Sequence, residues 1–167
     1  MKYSKFVEIY DALAGTTKKL EKTHILSKAL ITFKGNEELI YLFRGKVFPD
    51  YDEREFGIST QLVIKSISKS CGVSEDEVVN KFKKIGDLGE IVQELAERKK
   101  QSTLFSSSLN VNKVFYNLRK LVEITGKGSV DKKLSLVVEL LTSSGVEAKY
   151  IVRTLLNDLR VGVADGI

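Results

Sequence analysis

The chain has 167 residues, 43% of them hydrophobic, which is enough for one ordinary domain or two small half-domains that share a core. Lys and Arg outnumber Asp and Glu by 27 to 22, so a polyanionic partner is permitted but not required. The single cysteine excludes an internal disulfide and favours a reducing, intracellular setting. The chain shows no signal peptide, and no apolar run is long enough to span a bilayer.

Apolar residues recur at helical spacing in nine segments, and no segment alternates for long with the period of a strand. The segments begin near residues 2, 16, 36, 59, 74, 87, 110, 129 and 146. Predicted N-caps are Thr16 or Thr17, Ser59, Ser74, Asn110 and Ser129. The sequence therefore predicts an all-α, compact multi-helix domain of about nine to ten helices.

A basic and serine-rich stretch, 98–109, breaks the periodicity and is predicted to be a surface loop between two halves, 1–97 and 110–167. The last helix is expected to run as far as Arg160 and Gly162, because glycine suits a left-handed helix stop. A weaker copy of this turn ends at Gly57.

The two halves resemble each other weakly, since each opens a helix with Ser or Thr and two lysines and ends on a Gly turn. Such a repeat also arises by chance among helical hairpins. The lysines are the most informative feature, because cations are mildly unfavourable at a helix start. A phosphate held by hydroxyl, ammonium and backbone N–H groups would explain them, and lysines pointing into solvent are the alternative. The residues concerned are Thr17, Lys18, Lys19, Ser129, Lys132 and Lys133.

Arg153 and Arg160 lie two helical turns apart and are expected to share one helix face, where they could bind phosphate or enter a minor groove. The alternative is a surface ion pair with Asp158 or Glu147. Metal and acid–base sites are poorly supported, because His24 is the only histidine and the acidic stretch 50–55 is typical of a solvated loop.

The combination of motifs resembles the N-terminal DNA-binding domain of ATP-dependent DNA ligases of the archaeal and eukaryotic replicative type, the archaeal branch most of all. The matching runs are LRVGVA (159–164), EAKYIVR (147–153), FPDYDEREFGI (48–58), GDLGE (86–90) and GKGSVDKK (126–133). They follow the family order along the whole chain.

The resemblance implies an all-helical, pseudo-symmetric domain that grips the minor groove on both sides of a nick in double-stranded DNA without reading sequence. It implies DNA contacts at Ser129, Lys132, Lys133, Arg160 and Gly162. By the internal repeat, DNA contacts are also expected at Thr17, Lys18, Lys19 and Gly57. Arg153 is expected to contact DNA because it is predicted to share a helix face with Arg160. Roles in DNA replication, repair and recombination follow, with an intracellular location at the nucleoid, or in the nucleus if the source were eukaryotic.

The resemblance also implies that catalysis lies elsewhere. Family ligases attack ATP with the lysine of a Lys-x-Asp-Gly motif, whereas Asp165 and Gly166 lack a lysine two positions earlier. We therefore expect a piece of a longer enzyme that ends before the adenylation and OB-fold domains. This piece would need no cofactor, and ATP and Mg²⁺ would belong to the missing domains.

The central loop resembles the short clamp-binding motif of archaeal ligases. Gln101 would enter a polar pocket of the sliding clamp, and Leu104 with Phe105 an apolar one. The alternative is that Leu104 and Phe105 pack on their own core. For the whole chain, the competing interpretations are an all-α protein-interaction module with solvated lysines, or a self-sufficient enzyme that forms an adduct with AMP.

Overall fold

A computed structural model describes residues 1–100 and 109–163, and it confirms the all-α prediction. These residues form eight α-helices, slightly fewer than predicted, with 3-10 helices at Glu37–Arg44 and Gly145–Glu147. The α-helices are α1 (Tyr3–Ala14), α2 (Lys19–Thr32), α3 (Thr60–Cys71), α4 (Glu75–Ile85), α5 (Leu88–Lys100), α6 (Val111–Glu123), α7 (Ser129–Ser144) and α8 (Ala148–Leu155). No described residue lies in a β-strand, and Lys2 and Asn110 form an isolated bridge.

Local capping chemistry sets several of these boundaries. The side chains of Ser59, Ser74 and Asn110 accept hydrogen bonds from backbone N–H groups in the first turns of α3, α4 and α6. Gly72 and Gly86 end α3 and α4 in the left-handed conformation. Side-chain caps and C-terminal glycines satisfy the free backbone groups of helix ends, which is why these positions were predictable.

Two of the predicted caps are not formed. Gly128 occupies the N-cap position of α7, and Ser129 is the first helical residue, with no side-chain cap hydrogen bond at this helix start. Lys18 occupies the N-cap position of α2, while the Thr16 hydroxyl accepts from the Lys18 N–H at 3.2 Å. The apolar stripe predicted for α2 also differs, because Leu20 is 84% exposed.

The hydrophobic core takes residues from both predicted halves. Phe6 of α1 stacks on Phe43 with ring centroids 4.9 Å apart, and Tyr10 of α1 stacks on Tyr150 of α8 at 4.6 Å. Helix α3 packs on α7, and α5 packs on α8. The Tyr10–Tyr150 contact and both helix pairs join an element from before the central loop to one from after it. Within the described residues, no helix combines the length and the apolar character needed to cross a membrane.

Candidate nucleic-acid interface

The second glycine turn (residues 160–163) does not continue α8, which ends at Leu155. Beyond the end of α8, the backbone is left-handed at Asn157, Arg160 and Gly162, with φ values of 53, 57 and 65°. Such angles cost a residue with a Cβ about 1–2 kcal/mol, so the surroundings must hold Arg160 in place. The prediction that Arg153 and Arg160 share a helix face was therefore wrong, because only Arg153 lies on α8.

A buried carboxylate, Asp87, holds this turn. It is 4% exposed, and its Oδ2 atom lies 2.5 Å from Nη2 of Arg153 and 3.5 Å from Nη1 of Arg160. Its Oδ1 atom accepts from the Gly89 N–H at 2.9 Å. Burial alone would raise the pKa of Asp87, but the hydrogen bond and charge of Arg153, with the charge of Arg160, lower that pKa below its usual value.

Arg153 and Arg160 thus have different environments. Arg153 is 7% exposed and lies inside the domain, paired with Asp87 rather than with Asp158 or Glu147. The Arg160 side chain is 44% exposed and donates to the Asp158 carboxylate at 2.7 Å and to the Gly86 carbonyl at 3.2 Å. Of the two guanidinium groups, that of Arg160 is the one that a ligand can reach.

The first glycine turn (residues 55–58) also has a left-handed glycine, but Glu55 does not share the left-handed conformation of Arg160. Gly57 is exposed with φ 61°, and Phe56 before it is buried. The position that corresponds to Arg160 is Glu55, which is exposed. The two turns therefore share a left-handed glycine after a buried apolar residue, but they carry opposite charges at the position before.

Each turn is hydrogen-bonded to a lysine from the other half of the chain. Nζ of Lys133, on α7, donates to the Phe56 carbonyl at 2.9 Å, and Nζ of Lys22, on α2, donates to the Val161 carbonyl at 2.5 Å. We call Lys22 and Lys133 the crossed lysines. By these contacts the counterpart of Lys133 is Lys22, not Lys19 as the repeat in the sequence had suggested.

The other predicted lysines and threonine lie on the surface. Lys132 is exposed on the first turns of α7, next to Ser129, which is half-buried. Thr17, Lys18 and Lys19 are exposed at the start of α2, and Lys18 pairs with Glu21 at 2.9 Å. Such an exposed pair is worth at most about 1 kcal/mol, so an anionic ligand could displace it.

The described surface presents exposed cations such as Lys132 and Arg160, the start of helix α7 and two backbone turns that a partner can approach closely. No group of three His, Cys, Asp or Glu side chains in residues 1–100 and 109–163 could hold a metal ion. The aspartates of the acidic loop are already paired with basic side chains of the same domain. Asp50 binds Arg44 and Lys46, and Asp52 binds Arg54 at 2.7 Å.

The predicted clamp residues Gln101, Leu104 and Phe105 lie outside the described residues.

Comparison with known proteins places the chain in a family. Residues 2–167 match the family described as DNA ligase N terminus, so the chain belongs to that family and the resemblance in its motifs is confirmed.

Individual relatives are archaeal DNA ligases. The chain is 43% identical over 170 residues to a DNA ligase of Methanosphaera stadtmanae, an alignment that covers 98% of this chain and 30% of that protein. It is 41% identical to the DNA ligases of Thermococcus onnurineus and Methanothermobacter thermautotrophicus, with 100% and 99% of this chain and 30% of each relative covered. The chain thus spans about a third of the length of these relatives.

Proposed function

We propose that this domain binds nicked double-stranded DNA through the minor groove and the phosphate backbone, without reading sequence. In this proposal it is the DNA-binding part of an ATP-dependent DNA ligase that acts in replication and repair. The observation that carries it is the pair of left-handed glycine turns, each tied to a lysine of the opposite half, in a chain that belongs to the DNA ligase N terminus family.

The residues proposed to contact DNA fall into two groups. The group at the first turn is Gly57 together with Ser129 and Lys132 of α7, and Lys133 holds the turn from within. The group at the second turn is Arg160 and Gly162 with Thr17, Lys18 and Lys19 at the start of α2. Arg153 is left out of the interface because its guanidinium is buried against Asp87.

A non-specific grip suits this surface. Ammonium, guanidinium and backbone N–H groups recognise phosphate oxygens, which every sequence presents alike. Glycines at the turns let the backbone approach the duplex closely, and an exposed arginine such as Arg160 suits a narrow minor groove. The net charge of +5 supports attraction to DNA, although its placement matters more than its size.

Nick sealing is assigned to other parts of a longer enzyme. The Lys-x-Asp-Gly motif that would carry AMP is absent from these 167 residues, so in this proposal ATP and Mg²⁺ are used by the adenylation and OB-fold domains of the longer enzyme. Incubation of the chain with radiolabelled ATP should therefore give no protein–AMP adduct. A labelled adduct would show that the chain is itself an enzyme.

The central test is salt-dependent DNA binding. Affinities for two nicked duplexes of unrelated sequence, and for the same duplexes without a nick, are measured between 50 and 200 mM salt, the range in which phosphate contacts change affinity strongly. We expect similar affinities for both sequences and a steep fall with salt. Absent or salt-insensitive binding would refute the proposal and favour a protein-interaction module.

A further inference from the structure

We propose that the crossed lysines are positioning residues that aim one backbone N–H of each glycine turn at a DNA phosphate. Lys22 would orient the N–H of Gly162, and Lys133 the N–H of Gly57. The inference rests on the proposed DNA-binding function and assigns a task to Lys22, a residue that the sequence does not distinguish from other lysines of α2.

The burial of Lys22 is the first observation. The residue is 6% exposed, and lysine is almost never fully buried unless it is paired. Within the described residues, the ammonium of Lys22 donates to the Val161 carbonyl and that of Lys133 to the Phe56 carbonyl, and neither is paired with a carboxylate. A buried charge held by one carbonyl contributes little net stability, so a role in fixing the backbone explains it better.

The fit between lysine and glycine is the second observation, and it occurs in both turns. A Cβ on Gly57 would lie 2.8 Å from Nζ of Lys133, and a Cβ on Gly162 would overlap Nζ of Lys22. In each turn the ammonium group occupies the space that a side chain would need. Positive φ favours glycine at both positions, and a Cβ at either one would force the lysine from the other half to move its ammonium group off the turn.

Peptide geometry then sets the direction of the N–H groups. No peptide bond in the described residues is cis, and in a planar trans peptide the C=O and the N–H point in opposite directions. The Val161 carbonyl points inward to a buried lysine, so the N–H of Gly162 points away from it, toward the exposed side. The Phe56 carbonyl likewise points to Lys133, which is half-buried, and the N–H of Gly57 points the opposite way. Among the described residues neither glycine N–H has a hydrogen-bond acceptor, so we assign both of them a phosphate oxygen as acceptor.

Amide NMR tests the positioning without DNA. The variant Lys22→Met keeps most of the aliphatic stem and removes the ammonium. The Gly162 N–H belongs to the same peptide group as the Val161 carbonyl, so its cross-peak should move while that of Gly57 stays. Lys133→Met should do the reverse. Lys28→Met, which removes an exposed lysine of α2, should move neither peak, and an unmoved Gly162 peak in Lys22→Met would overturn the inference.

DNA binding tests the consequence. Lys22→Met should weaken binding to nicked duplex about tenfold, the effect of losing one well-formed hydrogen bond to a charged group, with an unchanged salt slope. Lys28→Met controls for the change in net charge. A salt slope lower by about one would mean that Lys22 itself contacts phosphate. An unchanged affinity would mean that Lys22 is not needed to orient the N–H of Gly162. Either result refutes the proposal.

The two proposals can fail separately. If the unaltered chain does not bind DNA, the proposed function fails, while the cross-peaks still decide whether the lysines orient the two turns. If Lys22→Met does not give the spectrum of a folded protein, Lys22→Gln replaces it, because a shorter amide cannot reach the carbonyl in the same way and carries no charge.

Discussion

Replacing Asp87 by Asn tests how the second glycine turn is held. The substitution keeps the shape of the side chain but removes its charge, and it leaves Arg153 buried without its main partner. Breaking a buried ion pair from one side costs about 3–5 kcal/mol. Glu90 lies 3.9 Å from the same Arg153 guanidinium and compensates in part, so we expect a loss near the lower end, about 3 kcal/mol.

Urea unfolding at several pH values measures this loss and its sign. The folded-state pKa of Asp87 is lowered, so its contribution to stability is present above the unfolded-state pKa of about 3.9 and disappears as pH falls through the folded-state pKa. The difference between the two proteins should therefore be constant from about pH 5 to pH 8 and shrink below about pH 4. Asp158→Asn is the matched control, because Asp158 binds Arg160 at the surface and should contribute less than about 1 kcal/mol.

Two results would refute this reasoning about Asp87. One is a loss below about 1 kcal/mol at neutral pH, the value of a surface pair. The other is a difference that persists in acid, where the carboxyl group of Asp87 is protonated in the unsubstituted protein as well.

Four further changes test the remaining inferences. Lys132→Ala should weaken DNA binding equally for unrelated sequences and lower the salt slope by about one. An unchanged slope would mean that Lys132 points into solvent and does not contact phosphate. Glu55→Arg should tighten binding and steepen the slope by about one, whereas Glu97→Arg, the same charge change on α5, should have a smaller effect. Gly89→Ala should destabilise folding by about 1–3 kcal/mol in urea, because its Cβ would lie 2.8 Å from a carbonyl oxygen of α8; a gain in stability would contradict the close packing. If the stretch 101–105 binds a sliding clamp, as its resemblance implies, Phe105→Ala should abolish a pull-down with the clamp, and an unaltered pull-down would refute that role for Phe105.

The sequence predicted those parts of the fold that depend on neighbouring residues. Ser74 with Glu77 marks the start of α4, and Gly86 marks its end, because caps act within a few residues of the helix terminus. Predictions failed where tertiary contacts decide the outcome. Leu20 follows the apolar pattern of α2 and still lies on the surface, and α8 ends five residues before Arg160. Local periodicity does not specify which face of a helix finds a partner.

The candidate site shows the same limit. The two glycine turns and Lys132 could be found from the sequence, since motifs and residue spacing are local features. Asp87 and Lys22 could not, because their partners lie 66 and 139 residues away along the chain. Only the internal repeat could have pointed to Lys22, and in the sequence alignment of the two halves it is Lys19 that lies opposite Lys133. The hydrogen bonds in the structure show instead that Lys22, one helical turn further along α2, is equivalent to Lys133.

The crossed lysines connect the two glycine turns mechanically, so that under the proposed function two weak DNA contacts act together. Each turn belongs to one half of the chain but is hydrogen-bonded to a lysine of the other, while α3 packs on α7 and α5 on α8. Neither half can therefore move without disturbing both turns. Under the proposed function, a duplex held at one turn meets the other at a fixed separation, so the entropy of ordering the second contact has already been paid on folding. Recognition that reads no bases depends on such geometry, because phosphate contacts set register and orientation while carrying no sequence information.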